Sequence, residues 1–224
     1  MSALSLLENL LKSGTQALGQ SQRSGDLGKY ATGAAVGGAL GLLLGGRRGR
    51  SIGGKALKYG SVAAIGALAW KVYQDHQASQ RAQPAAPAPA AGAPAGAGPA
   101  RFEALPAPAL EQHSRAMLKA MIAAAKADGH MDDRERDLVQ SELHRLEADD
   151  AVRRWVDDEL RRPIDPADVA AGAGTPEQAA EIYLASLLVV DETTTMERAY
   201  LEELARRLDL APTLKLELEQ RAAA

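Results

Sequence analysis

From residue 110 onward, apolar positions recur at helical spacing. In "LEQHSRAMLKAMIAAAKADG", residues Leu110, Met117, Leu118, Met121, Ile122 and Ala125 form one stripe, and Gly129 stops the helix. "DDRERDLVQSELHRLEA" places Leu138, Val139, Leu143 and Leu146 on one face, and "DAVRRWVDDELRR" ends before Pro163. A short helix is expected within "PIDPADVAAG". "TPEQAAEIYLASLLVVD" opens with Thr175 as N-cap, Pro176 at the first helical position and Gln178 three after the cap. It is the most continuously apolar stretch of this half, which predicts the centre of a bundle. "TTMERAYLEELARRLDL" and "APTLKLELEQRAAA" supply the last two helices. The pattern predicts an all-α domain of about six to seven helices over 110–224, with short connections that make successive helices neighbours.

The N-terminal third has a different pattern. "MSALSLLENLLKSGTQALGQ" carries Leu4, Leu7, Leu11 and Leu18 near one helical face, with Leu6 and Leu10 beside them. No basic residue precedes its leucines, so it is not a conventional secretory signal. It predicts an amphipathic helix that lies on a membrane or docks on a partner. In "ATGAAVGGALGLLLGG", Gly33, Gly37, Gly41 and Gly45 recur every fourth residue, a spacing that continues through Gly49 and Gly53. Each glycine costs a helix in water roughly 1 kcal/mol against alanine. In lipid, where close backbone approach drives helix association, the same row makes a packing groove. A basic run follows (Arg47, Arg48, Arg50, Lys55, Lys58), then a second small-residue segment, "YGSVAAIGALAWKVY". The two apolar stretches hold about 16 and about 13 residues, against the roughly 20 of a spanning helix. Snorkelling and aromatic ends extend both, so the expectation is a membrane-associated helical hairpin or a single pass. Residues 83–109 are a Pro/Ala-rich run whose bias predicts a flexible, semi-extended linker. The expected division is 1–82, membrane-associated; 83–109, linker; and 110–224, helical domain.

Composition narrows the function. There is no cysteine, which excludes disulfides, zinc–thiolate sites and thiol catalysis. One phenylalanine and two tryptophans leave the core to Leu, Ala, Val, Ile and Met, as suits helix packing. A net charge of −3 gives no nucleic-acid footprint. Histidines 76, 113, 130 and 144 form no ligand spacing, and neither a nucleophile elbow nor a phosphate-binding loop is present. The expectation is a non-catalytic protein.

Two acidic motifs carry the remaining chemistry. In "KADGHMDDRER", Asp128, Gly129, Asp132 and Glu135 have the spacing of the second half of an EF-hand loop, but Ala124 and Lys126 stand where its first carboxylates belong. In "VVDETTTMERAYLEELA", Asp191 and Glu197 repeat the helix–acidic turn–helix pattern. Asp132 with Glu135 and Thr194 with Glu197 also read as capping boxes, which is the simpler role. If the two turns meet, the five acids Asp128, Asp132, Glu135, Asp191 and Glu197 make a site for a divalent cation, Ca²⁺ or Mg²⁺.

"AMIAAAKADGHMDDRE" followed by "DETTTMERAYLEELARRLDL" resembles the TerB-like helical domain of tellurite-resistance proteins over about 110–220. The whole layout is similar to YebE-type bacterial inner-membrane proteins of unknown function. The resemblance implies an all-α TerB-type fold, an acidic cluster at the five positions above, Gly129 as the turn, and Tyr200 as the aromatic after the second motif. It also implies association with membrane-linked stress complexes. The functional expectation is a membrane-tethered helical interaction module at a bacterial inner membrane, binding protein partners or itself through the glycine face. The alternative is a divalent-cation sensor. The sequence leaves open which side of the membrane the C-terminal domain faces.

Overall fold

The computed structural model describes residues 2–9, 62–82, 105–127, 129, 133–190 and 194–223. Among them every regular element is a helix. They are α1 (3–9), α2 (Val62–Ala82), α3 (Ala107–Ala125), α4 (Asp133–Arg145), α5 (Asp150–Arg161), α6 (Pro166–Ala170), α7 (Pro176–Leu187), α8 (Thr195–Arg207) and α9 (Pro212–Ala223). The glycine row Gly33, Gly37, Gly41 and Gly45, the basic run and most of the Pro/Ala linker lie outside the described residues, as do Asp128, Asp132 and Asp191.

The C-terminal region, expected to hold about six to seven helices, has seven among the described residues, and α7 is their centre. Every residue from Ala179 to Leu187 is buried, and α2, α3, α8 and α9 all pack against this one helix. Its start is fixed as the sequence predicts: Thr175 Oγ1 accepts from Gln178 N at 3.3 Å, with Pro176 next to the cap. α3 begins three residues before the expected boundary, at Ala107, because Pro108 in the first helical turn has no intrahelical hydrogen bond to lose. Gly172, in the turn after α6, lets that turn lie on α3. A Cβ there would fall 2.7 Å from Ala116 Cβ. Two helices end on a non-glycine residue in the left-handed region, Glu147 (φ 56°) after α4 and Asp209 (φ 52°) after α8. Each closes a Schellman-type turn, Ala148 N donating to Leu143 O and Leu210 N to Ala205 O.

From Val62 onward, the second small-residue segment forms the first half of α2, which packs on α7 and α9. Ile65, Ala69, Val72 and His76, at alternating spacings of four and three, make the buried stripe. Small residues permit close approach in water as well as in lipid when the facing helix is itself alanine-rich, as α7 is. Among the described residues no helix is long and apolar enough to cross a membrane. The leucine-rich N-terminus also docks on its own chain. Leu6 and Leu7 are fully buried in the common core, and the Glu111 carboxylate of α3 accepts from Ala3 N at 3.0 Å and Leu4 N at 3.3 Å. The packed unit therefore extends beyond 110–224 to include α1 and α2.

Candidate functional site

The first acidic turn hangs from the end of α3. Lys126 caps that helix through its backbone N–H, which donates to Ile122 O and Ala123 O. Its side chain runs the other way. Nζ donates to the carbonyls of Glu159, at 2.8 Å, and of Arg162, satisfying the open C-terminal end of α5. Burial pushes the Lys126 pKa down, and Glu159 partly opposes this. The chain then turns at Gly129, whose φ of 82° is the left-handed conformation that a glycine adopts without strain.

The second turn leaves α7 through buried Val189 and Val190 and enters α8 at a complete capping box. Thr194 N and Oγ1 both donate to Glu197 Oε2, at 2.8 and 2.9 Å, and Glu197 N donates to Thr194 Oγ1 at 3.1 Å. One turn later Tyr200 is buried. Desolvation raises its phenol pKa well above the ordinary value, with the nearby Ser186 hydroxyl opposing the shift only in part.

The two turns meet. A Cβ on Gly129 would lie 3.0 Å from Met196 Cε, and Met196 itself is 56% exposed, so the junction is at the surface. Of the five acids, Glu197 is engaged in its capping box, and Glu135 falls in the first turn of α4. Asp128, Asp132 and Asp191 are outside the described residues. Among the described residues, no three histidine or acidic side chains are grouped as metal ligands.

A second feature is a cleft that no local sequence pattern announces. An open cleft of about 620 Å³ lies between the C-terminal half of α2, the start of α7 and the α8–α9 turn. Its rim carries Tyr73, His76, Gln77 and Arg81, facing Thr175 and Arg207. His76 is buried, with Nδ1 3.2 Å from Glu217 Oε1 of α9 and Nε2 2.6 Å from Gln80 Nε2. His113 is likewise buried and hydrogen-bonded to Glu181 of α7. Both histidines tie one helix to another. The usable signal for His76 was its place on the stripe of Ile65, Ala69 and Val72.

Residues 29–222 match the family described as "Protein of unknown function (DUF533)". The chain belongs to that family. The match takes in the glycine row and the linker as well as the bundle from α2 to α9, whereas α1 precedes it. The chain is also 28% identical over 111 residues to a Yersinia enterocolitica protein described as "Uncharacterized protein in ampR 5'region", an alignment covering 50% of this chain and 80% of that one. No solved structure gives a significant match.

Proposed function

We propose that this DUF533 protein is a non-catalytic helical interaction module, held against one face of a membrane by the glycine-rich segment between α1 and α2. The docking of both α1 and α2 on a single bundle carries this reading. Whatever residues 10–61 do, they start and finish on one body, which occupies one side of a membrane. The apolar stretch left to that segment, 31–46, has about 16 residues. Crossing and returning takes about 40. On this reading the segment enters one leaflet, with its glycine face available to another copy and the run Arg47–Lys58 at the headgroups. Each basic residue there adds about 1 kcal/mol on an anionic surface. On this reading the anionic cytoplasmic leaflet attracts the basic run, which favours the cytoplasmic face of a bacterial inner membrane for the bundle.

Flotation of the full chain with vesicles tests the proposal. The chain should float with phosphatidylglycerol-containing vesicles and much less with phosphatidylcholine alone. Leu42→Asp with Leu43→Asp should abolish flotation while the helical circular-dichroism signal stays unchanged. Equal recovery of wild type and variant in the unbound fraction would refute the attachment.

A divalent-cation sensor is the second reading, and the Gly129–Met196 contact favours it, because Gly129 adjoins Asp128 in the chain and Met196 adjoins Glu197. On this reading Ca²⁺ or Mg²⁺ raises the melting temperature by mass action on the folded state, and Asp128→Asn with Asp132→Asn removes the shift. A melt identical in EDTA and in millimolar cation would exclude it.

A further inference from the structure

The contact between α1 and the rest of the bundle is assembled from groups that recognise a helix rather than from chain continuity. Glu111 presents both carboxylate oxygens to the first-turn N–H groups of Ala3 and Leu4, as a capping side chain does, but from α3 rather than from α1. The carboxylate is held in place beforehand. Arg115 donates to it at 3.3 Å and stacks over Trp155 of α5, 5.8 Å from the ring centroid. Ala3, Leu6 and Leu7 then bury completely, the small-x-x-Leu-Leu pattern of a short amphipathic helix in a groove. Between α1 and α2 lie about 52 residues, a fully extended reach on the order of 170 Å. A domain of this size is only some 35–40 Å across. The connector thus leaves α1 able to reach the groove of a neighbouring molecule, and it contains the glycine row, whose spacing suits packing against a second copy.

We propose that the α1 groove is an exchange site, in which α1 of one chain docks on the bundle of a second copy and Glu111 recognises its N-terminal turn. The same contacts serve within a chain and between chains, so local concentration selects between them. The proposal is independent of membrane attachment and is tested without lipid.

The absence of native cysteine makes the test direct. Ser2 precedes α1 and Gln112 follows Glu111, and both are exposed. Two full-length chains, one carrying Ser2→Cys and the other Gln112→Cys, are mixed and treated with a short bismaleimide. Exchange predicts a cross-linked dimer joining the two different chains. Leu7→Asp in the Ser2→Cys chain should lower its yield by about tenfold or more, and Glu111→Ala in the other chain should lower it several-fold. Helical content is checked by circular dichroism in each variant. If the cross-link forms only within a chain carrying both cysteines, α1 docks in cis alone and the proposal fails. A mixed dimer whose yield ignores Leu7→Asp would equally overturn it, by showing that copies meet through another surface.

Discussion

His76 Nδ1 of α2 lies 3.2 Å from Glu217 Oε1 of α9, although 141 residues separate them. This part-buried contact joins the segment after the glycine row to the last helix of the bundle. Replacing His76 by alanine removes both the hydrogen bond and buried contact area. The expected loss is about 1–3 kcal/mol, measured by urea denaturation. Glu217 has a 38% exposed side chain, so Glu217→Ala should cost less. A double-mutant cycle should give a coupling of about 0.5 kcal/mol or more, and strict additivity would mean the pair contributes nothing.

Glu111 gives the docking of α1 a pH dependence. Burial raises its pKa, but the N–H groups of Ala3 and Leu4 and the Arg115 guanidinium outweigh this, and the folded value lies below the ordinary 4.5. A depressed carboxylate contributes its stabilisation fully above the unfolded value and loses it as pH falls through the folded value. Hydrogen-exchange protection at Ala3 and Leu4 should therefore drop below about pH 4.5. Glu111→Gln should show weaker protection at neutral pH with little further change on acidification.

Gly129→Ala separates two costs at the turn junction. The positive φ costs about 1 kcal/mol or slightly more for an L-residue. The added methyl also meets Met196 Cε, the far end of a flexible side chain, which can move. Met196→Ala should consequently recover only a minor part of the loss. Full recovery in the double variant would locate the cost in the contact rather than in the backbone.

Asp209→Gly should stabilise the bundle. Asp209 ends α8 with a φ of 52°, and relief of that conformation outweighs glycine's extra unfolded-state entropy. A melting temperature raised by a few degrees, equivalent to about 0.5–1 kcal/mol, is expected. A decrease would show that the carboxylate makes a contribution larger than the strain.

The elements legible in the sequence were those whose signals are local. Thr175-Pro176 with an unbroken apolar run fixes α7, and Thr194-x-x-Glu197 fixes the start of α8 with the capping role that the structure gives Glu197. The packing of α2 on the bundle was not legible, because a row of Ala, Gly and Ile reads alike whether the facing surface is lipid or another helix. Only the facing helix, α7, more than a hundred residues away, distinguishes them. The Glu111 cap on α1 and the Gly129–Met196 contact are long-range for the same reason, and no local spacing announces them.

On the proposed reading, α1 and the bundle occupy one side of a membrane. Single-cysteine chains with Ser2→Cys or Ala223→Cys can be expressed in bacteria and exposed to a membrane-impermeant maleimide, first in intact spheroplasts and then after lysis. Both cysteines should resist labelling before lysis and react after it. Labelling of one position but not the other in intact spheroplasts would place the two ends of the chain on opposite sides and contradict the account.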